Sequence, residues 1–314
     1  MDYVPLGRSG LVTSVVGLGG GSSSRFGLVK GGTRSDALAL IRAAFDQGIT
    51  FFDGAGICGD VDELMAEALV AVRNDVLIST KVHLGPDPVP FRNVRLANRA
   101  SSWIARRRGL ICSASTLGKR VERTLKTLRT DRLDVLHLHA VSTKQYPRVV
   151  STIVPELLEL KRTGKVRAFG VTEGFLTDPD HAMLREAVGD GCFDTVMVAF
   201  NCGNSSASDF VLPCSRKKGI GTIGMFAMRG LLGWRIDELR KIQADAAISS
   251  LSELAYRYAR HEGRVNVILT GTGNPEHLKR NIAAALAPAL PDAALKQLQE
   301  LRLSDLQAAR ASTR

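Results

Sequence analysis

Short runs rich in β-branched and apolar residues recur along the chain, and each gap between them is long enough for one amphipathic helix. Eight such runs predict strands from Ser14 to Leu18, Thr50 to Asp53, Val76 to Val82, Asp134 to His139, Val166 to Thr172, Thr195 to Asn201, Thr222 to Phe226 and Val265 to Gly271. The gaps carry helix punctuation. Thr33-Arg34-Ser35-Asp36 precedes Leu38, Ile41 and Phe45 with Gly48 as the stop, and Asn274-Pro275-Glu276 opens the last helix. Strands that alternate with helices pair in parallel. Eight repeats predict a closed (β/α)8 barrel, since an open doubly wound sheet ordinarily uses about five to seven strands. Leu6 to Thr13, with Gly7 and Ser9-Gly10 at its centre, predicts an N-terminal β-hairpin that caps the barrel bottom.

Two connections exceed a simple turn, Val82 to Ser113 and Arg229 to Ser249. Long loops in compact domains are usually functional. Both follow strand carboxyl ends, the face on which barrels of this kind place their chemistry, so both are expected to shape a substrate pocket. No linker or low-complexity tract interrupts the pattern, and residues 1–314 are expected to form one domain.

Composition narrows the class. Apolar residues make up 45% and charged residues 23%, the balance of an ordinary globular chain. No apolar run reaches ~18 residues, so no membrane span is expected. The start of the sequence lacks a secretory pattern, and a cytoplasmic location is the default expectation. Five cysteines, at 58, 112, 192, 202 and 214, show neither zinc-knuckle nor redox-dithiol spacing, and reduced thiols are expected. The net charge of +11 is concentrated locally in Arg92, Arg95, Arg99, Arg106, Arg107 and Arg108. Such a run is either a solvated basic loop or a recruiter of a small acidic or carrier-bound substrate. Nucleic acid is disfavoured, because aromatic residues there are limited to Phe91 and Trp103.

Three ionisable residues fall near the carboxyl ends of consecutive predicted strands: Asp53, Lys81 and His139. A lysine buried beside a carboxylate can polarise a neighbouring proton donor, and an imidazole opposite can orient a carbonyl oxygen. The same spacing also suits a structural ion pair and a core histidine. In Leu136-His137-Leu138-His139 the alternation is expected to set the two imidazoles on opposite faces, so that one enters the barrel.

Along nearly its whole length the chain resembles the aldo-keto reductase family. The matching segments are Gly17-Leu18-Gly19-Gly20-Gly21, Phe52-Asp53 with Asp62 to Leu69, Ser79-Thr80-Lys81-Val82, Leu133 to His139, Gly164 to Val171, and Leu269 to Leu278 running on to Asn281. The resemblance implies a (β/α)8 barrel that binds NADPH and reduces carbonyls through an Asp, Tyr, Lys and His tetrad. It assigns Asp53, Lys81 and His139 to three of these places and selects His139 over His137. Cys58 stands at the fourth, where the family has the tyrosine that donates the proton. A thiol is shorter and more acidic than a phenol. Beside Lys81 it would be an inert small residue or a partly ionised nucleophile.

For the cofactor the resemblance places Gly271, Thr272, Gly273, Asn274, His277 and Asn281 on the phosphate side, and adds Gly20 of the first strand's glycine run as a further cofactor-binding candidate. The local pattern agrees, since a strand runs through glycines into a helix N-terminus, which attracts anions. On the nicotinamide side, Thr172 and Glu173 stand where the family commonly has an Asn, Met197 where it has a Gln, and Met225 where it has a stacking aromatic. Some subgroups carry Thr-Glu and Met at the first and last of these places. The expectation is an NADPH-dependent oxidoreductase with an atypical active site and a small-molecule substrate. A non-redox dehydratase, isomerase or lyase and a silent nucleotide-binding protein stay open as alternatives.

Overall fold

The computed structural model describes residues 1–21, 24–56, 59–85, 104–105 and 107–312, with only the backbone described for residues 59 and 305–312. Strands β1 (Tyr3–Pro5) and β2 (Val12–Ser14) pair as an antiparallel hairpin. Eight further strands follow: β3 (Val16–Gly19), β4 (Phe51–Asp53), β5 (Leu77–Val82), β6 (Leu133–Val141), β7 (Val166–Glu173), β8 (Thr195–Ala199), β9 (Gly221–Met225) and β10 (Val267–Thr270). All eight pair in parallel, and β10 pairs with both β9 and β3, which closes the barrel. Each sequence-predicted strand corresponds to one of these, with ends shifted by up to two residues. The hairpin is present as well, with β1 just before the stretch expected to form it, β2 overlapping the end of that stretch, and Leu6 to Leu11 making the connection.

Leu6 and Leu11 enter the barrel floor, where they pack with Phe51, Leu77, Val135 and Val267. Full burial of side chains of this size stabilises by about 1.5–3 kcal/mol each, which ties the hairpin to the floor. A second, larger cluster fills the space between the wall and the outer helices. The first of those helices, Arg34–Asp46, shows how local sequence sets an element. Thr33 and Asp36 form a reciprocal capping box, Ala37, Leu40, Ile41 and Ala44 make the buried stripe, and Gly48 turns the chain with φ +89°.

Of the two long connections, residues 86–103 and 106 lie outside the described residues, and with them Arg92, Arg95, Arg99 and Arg106. The second is not a plain loop. It holds a helix, Ile236–Asp245, that buries Leu239 and Ile242 and packs against the C-terminal helix Asp292–Ser312. Three large apolar residues, Ile236, Leu239 and Ile242, in a charged stretch give too weak a periodicity to predict it.

The expectation for the two histidines of β6 is overturned. Residues two apart on a strand share a face. Val135 lies in the lumen cluster and His137 is fully buried beside Ser79 and Thr195, so His139 continues the same inward row. Leu136 and Leu138 belong to the outer cluster.

Candidate active site

Asp53 ends β4, Lys81 lies one residue before the end of β5, and both side chains enter the mouth of the barrel. The Lys81 Nζ donates to Asp53 Oδ2 at 2.6 Å and to the Gly54 carbonyl at 2.7 Å. Both residues are buried, at 8% and 3% exposure, so the pair is shielded from the screening that weakens surface ion pairs. The loop after β4 is shaped to permit this. Gly56 has φ +63°, and a Cβ there would overlap the Lys81 carbonyl oxygen.

The ion pair continues into the lumen. Ser79 Oγ donates to Asp53 Oδ1 at 2.9 Å. With that hydroxyl proton committed, the 3.3 Å contact between Ser79 Oγ and His137 Nδ1 has the imidazole as donor. Thr195 Oγ1 then donates to His137 Nε2 at 3.1 Å. His137 is therefore held as the neutral Nδ1–H tautomer. Burial, reinforced by the Lys81 charge, pushes its pKa down to about 3. Gly170 makes room for the ring, since a Cβ there would meet both Thr195 and His137.

One layer further out, His139 is half-buried and packs edge-on against His83, with ring centroids 4.5 Å apart and an interplanar angle of 75°. On the outer side of the wall, Asp62 of the helix Gly59–Ala68 accepts from Thr80 Oγ1 at 3.1 Å. Burial raises its pKa from 3.8 to about 6, against the opposing pull of Thr80 and Lys81.

Of the residues expected at the catalytic centre, Asp53, Lys81 and His139 meet in this sector, and Cys58 lies outside the described residues. The cofactor set divides. Gly271, Asn274 and His277 are exposed along the β10 exit and the N-terminus of the helix Pro275–Leu286, Gly273 is half-buried there, and Thr272 is 8% exposed. Asn274 Oδ1 accepts from the amides of Glu276 and His277, so the helix end is already capped. Asn281 Nδ2 donates to Thr270 Oγ1. Two glycines serve packing. A Cβ at Gly20 would overlap Val61 and Phe26, and one at Gly273 would overlap the backbone of Gly27. Among the described residues, a Cβ at Gly271 would have only the Gly19 carbonyl oxygen and the Ser24 Cβ within 4 Å, at 3.6 and 4.0 Å, which suits backbone approach by a ligand.

The nicotinamide side looks different from the sequence expectation. Glu173 shares the outward face of β7 with Phe169 and Val171. Its Oε2 lies 2.5 Å from His181 Nδ1, and its Oε1 accepts from the Ala199 amide at 2.7 Å. Both its oxygens are thus engaged within the protein. Thr172 faces inward and accepts from the Ala140 amide at 2.8 Å. Met197 is 1% exposed within the lumen cluster, and Met225 is half-buried above it.

Ser79, Thr195, His181 and His83 also belong to this region and lie outside the set expected from sequence. Period-two counting along β5 from Lys81 would have found Ser79 and His83, because both share its face. His181 and Thr195 carry no such signal, since their roles arise from partners on other elements.

Comparison with known proteins agrees with this architecture. The family model described as "Aldo/keto reductase family" matches residues 16–303. L-galactose dehydrogenase of Arabidopsis thaliana is 28% identical over 302 residues, covering 89% of this chain and 86% of that protein. The aldo-keto reductase YhdN of Bacillus subtilis is 29% identical over 252 residues, covering 78% and 68%. Among solved structures, the holo form of an aldo-keto reductase from Bacillus halodurans superposes with a TM-score of 0.75 at 20% identity, covering 96% of each chain. An aldo-keto reductase from Klebsiella pneumoniae in complex with NADPH gives 0.69 at 19% identity, covering 96% and 95%.

Proposed function

The chain belongs to the aldo-keto reductase family of oxidoreductases, and from that premise we propose that it is a cytoplasmic, single-domain NADPH-dependent enzyme that reduces the carbonyl of a small organic molecule. The observation that carries this reading is the buried Lys81–Asp53 pair, 2.6 Å apart at the barrel mouth with His139 on the next strand. Asp53 fixes the ammonium, Lys81 provides positive potential where an alkoxide develops, and His139 orients the carbonyl oxygen. When bound, the cofactor supplies the hydride. Gly271, Thr272 and the capped N-terminus of the helix Pro275–Leu286 would hold its phosphate end, with Asn274, His277 and Asn281 beside them. Met225 and Thr172 line the wall where its ring would lie. The arginine run from 92 to 108 supports an acidic group on the substrate.

Calorimetric titration with NADPH and NADP+ tests the cofactor assignment before any substrate is known. Saturable binding of both is expected, with one NADPH consumed per carbonyl reduced. Absence of binding removes the reading. Product formed without consumption of NADPH would point instead to a lyase or isomerase on the same fold.

A further inference from the structure

Two aromatic side chains at the barrel mouth belong to neither apolar cluster. Phe175 follows the end of β7 by two residues and Phe226 directly follows β9, which sets both on the rim where Asp53 and Lys81 also lie. Strand β8 runs between β7 and β9, so the contact of the two rings bridges its end, with centroids 5.9 Å apart and an interplanar angle of 52°. Both rings are half-buried, whereas the core aromatics Phe169 and Phe193 are closed off from solvent. The Arg229 guanidinium lies 4.5 Å from the centroid of the Phe226 ring, a cation–π contact. Arg229 is exposed and forms no ion pair among the described residues. Stacking fixes the plane of the guanidinium and leaves its N–H edge able to fork onto a carboxylate.

The turn that carries these groups is pinned. Phe226 has φ +70°, a left-handed conformation that a bulky residue keeps only where its surroundings enforce it. Asn201, 4% exposed, does so: its Nδ2 donates to the carbonyls of Phe226 at 2.9 Å and Arg229 at 3.2 Å. Its Oδ1 accepts from the amides of Gly203 and Asn204, and the Arg229 amide closes the turn onto the Phe226 carbonyl at 3.0 Å. The cation and the rings are therefore held in place before any ligand arrives. In the ring of eight strands β9 is the fourth from β5 in either direction, so Arg229 follows the strand that stands across the mouth from Lys81. Eight strands about 4.8 Å apart and tilted by about 36° enclose a barrel on the order of 15 Å across. A molecule that reacts beside Lys81 and is anchored by Arg229 carries its acid group remote from its carbonyl.

We propose that Phe175, Phe226 and Arg229 form a rim subsite for a substrate carboxylate, so that the enzyme takes carbonyl compounds bearing that carboxylate at the far end of a flat, aromatic body. The inference rests on the carbonyl reduction proposed above and adds a substrate class to it. Arg229 donates a forked pair of hydrogen bonds to the carboxylate, and the two rings cover the flat body next to it.

The test uses the full chain, NADPH and two probes of nearly equal shape that differ by one charge, 4-carboxybenzaldehyde and 4-nitrobenzaldehyde. Wild type is expected to favour the carboxylate probe, with the difference in KM. Arg229→Met keeps an unbranched stem on Phe226 and removes the charge. It should lower the ratio of kcat/KM for the carboxylate probe over the nitro probe by about 10–100-fold, the range for a hydrogen bond to a charged group. Arg229→Lys returns the charge without the planar fork and should recover only part of that ratio. Calorimetric titration of the NADP+ complex with each probe reads the same contrast without turnover, and NADPH affinity of both variants should match wild type. A wild type that binds NADPH, with an Arg229→Met variant whose preference stays within about twofold of it, overturns this inference alone. Equal losses on both probes together with weaker NADPH binding assign the guanidinium to the cofactor's phosphates and likewise overturn it. A wild type that binds no NADPH overturns the proposed function, and this inference with it.

Discussion

On the β4–β6 side of the mouth, Asp53, Lys81, Ser79 and His137 form one connected set of charge and hydrogen bonds facing the lumen. On the β7–β9 side the lumen shows Thr172, Met197 and Met225, and the acidic residue of that wall, Glu173, is turned to the back against His181. Both sides place polar residues at strand ends, yet one side collects them and the other disperses them. The difference lies in parity. Residues 53, 81 and 137 fall on inward rows, whereas 173 falls on an outward one. Position at the rim marks where chemistry can sit, and parity decides whether a side chain takes part.

The largest expected effect comes from breaking the collected side. Lys81→Met leaves the Asp53 carboxylate buried without its cation, and loss of one partner of such a pair costs about 3–5 kcal/mol. Denaturant unfolding should show that loss, together with loss of NADPH-dependent turnover. Asp53→Leu combined with Lys81→Met should recover most of the stability and none of the activity, because the two positions share one interaction. A single variant within about 1 kcal/mol of wild type would mean that the mouth is wet enough to solvate the lone charge, and the contrast between the two sides would weaken.

The dispersed side is tested by Glu173→Gln. The carboxylate accepts from the Ala199 amide and meets His181 in a fully buried contact, and burial raises its pKa. Replacing it should cost about 2 kcal/mol of stability, since buried groups are left with poorer partners. NADPH affinity should stay as in wild type, because the side chain lies behind the wall. Weakened NADPH binding at unchanged stability would show that Glu173 does face the cofactor, and the proposed division of the mouth would fall.

Much of this was legible in the sequence, and the limits have physical causes. The eight strands could be read because β-branched runs between capped helices leave few other architectures. Asp53, Lys81 and His139 could be read because strand ends converge in a closed barrel. His137 was misplaced by a wrong application of period two, and correct counting brings in Ser79 and His83 as well. The helix Ile236–Asp245 was missed because its apolar stripe is short, with only Leu239 and Ile242 buried. His181 could not be read at all. Its role depends on Glu173 facing outward and on the chain returning over it, with φ +59° at His181 itself.

The mildest test concerns the outer face of the collected side. Asp62 sits behind Thr80, where burial raises its pKa from 3.8 to about 6. Below about pH 4 the carboxyl is protonated in both folded and unfolded chains. Between about pH 4 and 6 the unfolded chain releases the proton while the folded chain retains it. Stability therefore falls across that window, by an amount on the order of 3 kcal/mol, and this contribution is constant above it. Asp62→Asn keeps an acceptor for the Thr80 hydroxyl and removes the titration. The stability difference between variant and wild type should accordingly shift in favour of the variant as pH rises from 4 to 7, measured by urea unfolding at each pH. A difference that stays flat with pH would mean that Asp62 is ionised throughout and that Lys81 governs it through the wall. The positive field of that ammonium would then extend to both faces of β5, and the boundary between the catalytic cluster and its supporting shell would need to be redrawn to include the helix Gly59–Ala68.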